Sequence, residues 1–206
     1  IIDKADQLNP QAANSLLKIL EEPPDGTHFF LITAKSSALL STVRSRSQTW
    51  RFGPLSPEEM KAIKDLPPWI LQASQGSLQT AEQLSGEQGA ELRGLVTHLL
   101  RQILSGHWRG SLEDLRKSAK SKDSFLMINR FIQQMIRDSV IYPQSNTIHS
   151  DQESILQELS ELPFEFKAKI YQESLAMESG LNFNQDLSLS MEAFVRDIDL
   201  QLRCLR

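Results

Sequence analysis

Two arginines separated by one serine, Arg44-Ser45-Arg46-Ser47, are the residues of this chain best suited to meet a phosphate. A guanidinium stays charged and presents its N–H groups as a fork that phosphate oxygens can accept. The bland alternative for Arg46 is a surface arginine in a turn. A second group of polar residues, Asp3-Lys4-Ala5-Asp6, follows Ile1-Ile2 as if at the C-terminal tip of a buried strand. In open α/β sheets ligands bind beyond such tips. Thr33-Ala34-Lys35 closes another apolar run in the same way. There, a strand-end hydroxyl bonded to nearby backbone is as good a reading of Thr33 as a ligand contact. Glu21 and Glu22 are adjacent on a helix, so they point about 100° apart and cannot work as a facing pair of carboxylates. They read as a solvated helix end.

Other chemistries find no residues. No glycine is followed by lysine, so no G-x-x-x-x-G-K-[ST] loop is present to cradle a triphosphate. His28, His98, His107 and His149 show no pairing at metal-ligand spacing. No serine–histidine–acid or cysteine–histidine set can be argued from position. The single cysteine, Cys204, gives no internal disulfide framework and suits a cytoplasmic protein. A net charge of −4 is not that of a basic nucleic-acid-binding domain, although a local basic patch is compatible with it. No apolar run approaches the length of a membrane span. With 206 residues, 40% of them hydrophobic, the chain is long enough for more than one small core.

The elements that must hold these residues lie between Asn9 and Arg46. Ala13, Leu16, Leu17 and Leu20 recur at helical spacing and give one apolar face. Asn9 is placed to cap that helix, Pro10 sits where a missing N–H does no harm, and Pro23-Pro24 ends it. Phe29-Phe30-Leu31-Ile32-Thr33 is apolar and β-rich, and is predicted to be a strand buried on both faces. Gln48-Thr49-Trp50-Arg51-Phe52 alternates and is predicted to be a last strand before Gly53-Pro54.

The run Ala12-Ala13-Asn14-Ser15-Leu16-Leu17-Lys18 through Leu20-Glu21-Glu22-Pro23-Pro24, the strand ending in Thr33, and Thr42-Val43-Arg44-Ser45-Arg46 together resemble the second half of the AAA+ core of sliding-clamp loader subunits. Bacterial DNA polymerase III gamma/tau and delta-prime subunits carry this pattern. The resemblance implies that Ile1-Ile2-Asp3 is a Walker B strand, with Asp3 in the position of the Mg²⁺-holding acid. Lys4 then stands where active ATPases place a water-orienting glutamate, a task an ammonium cannot perform because it has only donors. Thr33 falls at the sensor 1 position and Gln79 at the sensor 2 position, where an arginine is usual. Ser45-Arg46-Ser47 matches the Ser-Arg-Cys motif with its cysteine replaced. That makes Arg46 an arginine finger acting in trans, with Arg44 as an accessory phosphate or DNA contact.

The fold expected on this basis is α/β followed by all-α. Residues 1–54 would be the C-terminal part of an AAA+ core, truncated at the Walker B strand, so that the chain reads as the C-terminal portion of a longer protein. Residues 55–88 would be a helical lid. It would open with the capping-box pattern Ser56-Pro57-Glu58-Glu59, carry Trp69, Ile70 and Leu71 on a second short helix, and begin a third after Gly76. Ser85-Gly86-Glu87-Gln88-Gly89 is the expected linker to a helical collar over 89–206. Apolar stripes there are led by Leu92, Phe125, Ile155, Ile170 and Met191, and predict about five bundled helices. Asn182-Phe183-Asn184 with Leu187 and Leu189 resembles the start of the last collar helix.

The resemblance favours a non-hydrolysing subunit of the delta-prime type, within a DNA-directed DNA polymerase holoenzyme and not catalytic by itself. No cofactor would belong to this chain; ATP-Mg would be held by the neighbouring subunit. Its partners would be gamma/tau and delta subunits, the sliding clamp and, through the complex, primed DNA. Two other readings stay open. One is an ATP-hydrolysing motor of the gamma/tau type. The other is a helical assembly module with no nucleotide role, which survives if Arg46 is buried or paired within its own chain.

Overall fold

The computed structural model describes residues 1–118, 121–144, 147–180 and 186–205. They form two compact units, Ile1–Gly53 and Pro54–Arg206.

In the first unit, helix α1 (Pro10–Glu21) starts on Asn9, whose side chain accepts from the Ala12 N–H at 2.7 Å. It packs against the short helix α2 (Ser41–Arg44), with Ala13 and Val43 buried. The three predicted strands do not form as such among the described residues. Ile1-Ile2-Asp3 and the Phe29–Thr33 run meet at one parallel bridge, Ile2 with Leu31. Two hydrogen bonds hold it, Ile2 N–H to Phe30 O at 2.8 Å and Ile32 N–H to Ile2 O at 2.9 Å. Burial on both faces does not hold either. Phe30 and Ile32 are 62% and 53% exposed, and Trp50 and Phe52 are more open still. The reason is that a strand is completed by its neighbours. Propensity marks a segment that fits a pleated surface, but an extended pair with only one bridge is marginal without a third partner.

The described residues of the second unit form helices and no strand. Helices α3 (Pro57–Ile63), α4 (Pro68–Ala73) and α5 (Leu78–Ser85) come first. The Ser56–Glu59 capping box is complete, at 3.2 and 2.8 Å. Gly76, with φ +79°, makes the turn into α5, and its carbonyl accepts from the Leu55 N–H at 3.0 Å. The expected linker is not a linker. Helix α6 (Glu87–Ser105) starts one residue after α5, and Gly89 lies under the Leu84 carbonyl, where a Cβ would come within 2.5 Å. Helices α7 (Arg109–Ser118), α8 (Lys122–Ile141), α9 (Glu153–Ser160), α10 (Phe164–Gly180) and α11 (Leu187–Leu205) complete the described part.

Helix α8 is the centre of this bundle and buries Phe125, Ile128, Phe131, Ile132, Met135 and Ile136 against α6, α9 and α10. The stripe on α11 is buried as its spacing predicts, and so are those on α6 and α9 except for Leu95, Leu104 and Leu162, which are half-buried. On α10 only Ile170 of the expected stripe is buried, while Tyr171 and Leu175 are exposed. Met60, Ile70 and Leu84 of the first three helices join the same hydrophobic cluster, so the short helices and the bundle share one core. Asn182, Phe183 and Asn184 lie outside the described residues; Leu187 begins α11.

Candidate functional site

Arg46 stands on the turn that follows α2. The buried Val43 anchors that turn, and Arg46 N–H and Ser47 Oγ both donate to its carbonyl, at 3.2 and 2.9 Å. The guanidinium is held within its own chain. Its Nε and Nη2 both reach Oε1 of Glu21, at 2.6 and 2.5 Å, and Nη1 donates to the Thr42 carbonyl at 3.1 Å. Both side chains stay open to solvent, 38% for Arg46 and 49% for Glu21. Glu21 is therefore more than a solvated helix end. Sequence reasoning missed its role because 25 residues separate the partners and nothing local links them. Arg44 is exposed.

At the other end of this unit, the Asp3 side chain accepts from the N–H of Lys4 at 2.8 Å, and Lys4 has left-handed backbone with φ 52°. The chain then turns through Ala5–Gln7, with the Ala5 N–H bonded to Ile32 O at 2.9 Å. That turn brings Asp6 to Thr33. The Thr33 hydroxyl donates to Asp6 Oδ1 at 2.7 Å and accepts from the Lys35 N–H at 3.0 Å. The hydroxyl is thus satisfied by a side chain as well as by backbone. Gln79 belongs to the second unit, exposed on the first turn of α5. Among the described residues no group of three His, Cys, Asp or Glu is arranged to hold a metal.

The second unit holds a polar cluster that the sequence did not announce. Arg93 of α6 is buried, with its Cζ 4.2 Å from the Trp69 ring centroid. It donates from Nε to Nδ1 of His149 at 3.1 Å and makes a forked pair with Asp151, at 2.9 and 2.5 Å. Since Nδ1 accepts, the histidine is neutral, and its Nε2–H donates to Gln134 Oε1 at 3.1 Å. Gln134 Nε2 in turn donates to the Ala73 carbonyl at 3.3 Å. Burial, then the Arg93 charge, lower the His149 pKa to about 3 against an upward pull from Asp151. A further cleft of about 690 Å³ opens beside α8, with Arg130, Arg137, Gln75 and Tyr171 in its wall.

Comparison with known proteins finds similarity to DNA polymerase III subunits. Residues 1–56 match the family described as DNA polymerase III, delta subunit. A segment of 65 residues is 54% identical to DNA polymerase III subunit delta' of Bacillus subtilis, covering 32% of this chain and 19% of that one. The delta' subunit of Pseudomonas aeruginosa is 33% identical over 117 residues, which is 50% of this chain and 34% of the relative. Subunit gamma/tau of Mycobacterium tuberculosis is 38% identical over 63 residues, 31% of this chain and 11% of the relative. The chain thus spans about a fifth to a third of the length of these delta' relatives.

Proposed function

We propose that this chain, a clamp-loader subunit of the DNA polymerase III family by its first 56 residues, is a delta-prime-type subunit that lends Arg46 to a nucleotide on its neighbour. The observation that carries the reading is the guanidinium of Arg46, exposed at a turn whose own backbone is fixed by buried Val43. On this reading residues 1–54 are the later part of an α/β AAA+ core, 55–88 a lid and 89–206 a collar that holds the subunit in a heteromeric ring in the cytoplasm. The partners are gamma/tau and delta subunits, the sliding clamp and, through the complex, primed DNA.

The chain's own nucleotide-facing positions suit a non-hydrolysing role. Lys4 supplies no acceptor to orient a water, and the Thr33 hydroxyl is committed to Asp6 and Lys35. Gln79 offers no charge to a phosphate. ATP-Mg therefore belongs to the neighbour, where the nucleotide supplies the transferring phosphoryl group. Arg46 would stabilise the charge that builds on it, an effect worth about 10³–10⁵ in rate where a finger is fully used.

The test is Arg46→Ala in the reconstituted complex. Hydrolysis at the one site this subunit faces should fall, with clamp loading, while circular dichroism and gel filtration stay unchanged. Wild-type turnover at every site sinks the proposal. So does loss of folding or assembly, which makes Arg46 structural. The pair between Arg46 and Glu21 favours one second reading, an assembly module without a nucleotide role. Under it the variant leaves ATPase untouched.

A further inference from the structure

We propose that Glu21 is the positioning residue for Arg46. The inference rests on the reading of Arg46 as a finger and assigns a job to the carboxylate that grips it. Glu21 is the last residue of α1 and Arg46 follows α2. The two helices pack against each other, with Ala13 of one and Val43 of the other buried, so the gripping group and the gripped group stand on neighbouring packed elements.

The guanidinium has five N–H donors in a fixed plane. Nε and Nη2 spend their side-facing hydrogens on a single oxygen, Oε1 of Glu21, at 2.6 and 2.5 Å. Nη1 spends one on the Thr42 carbonyl at 3.1 Å and reaches Ser45 Oγ only at 3.5 Å, the outer limit of a hydrogen bond. The plane is therefore held from two directions, by Glu21 and by Thr42. The least committed part is the outward edge, where Nη2 keeps one hydrogen and Nη1 has only the long contact to Ser45 Oγ to give up, which makes a fork suited to two phosphate oxygens.

The pair is not there for stability. Both partners are more than a third exposed, and exposed ion pairs contribute little to folding. Its value is in preorganisation. A free arginine must give up rotamer freedom on reaching a transition state, whereas one already held by its own chain has given it up. Glu21 touches no reacting atom and acts only through Arg46.

The experiment is single-turnover and steady-state ATP hydrolysis by the reconstituted loader carrying Glu21→Ala, Glu21→Gln, Arg46→Ala or the Glu21→Ala/Arg46→Ala double variant. Glu21→Ala should lower kcat at the neighbouring site about tenfold and leave the KM for ATP within about twofold. Glu21→Gln should recover most of the loss, because an amide oxygen still accepts from Nε and Nη2. The double variant should be no slower than Arg46→Ala alone. Wild-type or faster turnover by Glu21→Ala, in a complex where Arg46→Ala is slow, overturns the positioning role and leaves the finger standing. So does an additive double variant. If Arg46→Ala itself turns over at the wild-type rate, the finger reading fails and takes this inference with it.

Discussion

Arg93 and His149 face each other in the dry interior of the bundle, guanidinium Nε to imidazole Nδ1 at 3.1 Å. The donor is a permanent cation and the ring has no exposure to solvent. Protonating Nδ1 would set two donors against each other and add a second positive charge beside the first. The ring therefore stays neutral in the folded chain down to a pH of about 3, well below the ordinary histidine value near 6.5.

The sign of the pH dependence follows. The unfolded chain binds this proton below about 6.5 and the folded chain does not. Stability is therefore whole above that pH and is lost as pH falls from about 6.5 toward about 3, at up to about 1.4 kcal/mol per unit. Urea denaturation at pH 7, 6, 5 and 4 measures it. His149→Gln should flatten the slope, whatever it does to stability at pH 7. A variant as steep as wild type would show that other groups carry the acid sensitivity.

Gly76 should tolerate no side chain. Its φ of +79° is left-handed, and a Cβ there would lie 2.4 Å from the Leu55 carbonyl oxygen and 2.7 Å from Pro54 Cβ. Gly76→Ala should cost about 2–4 kcal/mol, from the backbone penalty and the clash together. Gly110→Ala, with open space around it, is the control and should be neutral or slightly stabilising in its helix. Thermal melts of the two variants separate the cases.

Much of the helical part was legible because its signals are local. The Asn9 cap and the Ser56–Glu59 box lie within four residues of the groups they satisfy, and the stripes on α6, α8, α9 and α11 repeat at a spacing that sequence displays directly. The misses are non-local. Phe29–Thr33 has the composition of a buried strand, but burial depends on what lies beside it, and Phe30 and Ile32 are open. Tyr171 and Leu175 continue a stripe that the bundle does not cover. The motif singles out Arg46 but carries no sign of Glu21, its partner in the folded chain. Nor could it find the 56-residue reach from Arg93 to His149, since neither partner carries a mark of the other.

On the proposed reading the purified protein alone should show no ATP turnover, because Lys4 would stand where an active ATPase holds its water-orienting acid. The measurement is steady-state phosphate release against a blank. Hydrolysis above background that disappears with Asp3→Ala would falsify the non-hydrolysing reading.

Assembly is better tested at the surface than by deletion. The short helices and the bundle share one hydrophobic cluster, so removing the bundle would strip the core from what remains. Leu189 and Leu200 of α11 are each 63% exposed. Eleven positions apart, they lie within about 20° of one helical face. On the collar reading, Leu189→Asp with Leu200→Asp should leave the melting curve of the chain within a few degrees and sharply reduce co-purification with gamma/tau. Unchanged co-purification would remove this face from the interface.

The junction between α5 and α6 limits how this protein can change over time. One residue, Gly86, separates the two helices, and Gly89 touches the chain coming in at Leu84. An inserted or deleted residue there has no loop to absorb it. It would turn α6 by about 100°, carry Leu92, Val96, Leu99 and Ile103 out of the interior, and pull Arg93 off Trp69. Related chains should therefore vary in length elsewhere and keep the count between Leu84 and Leu92 fixed, so that the spacing itself behaves as an inherited character.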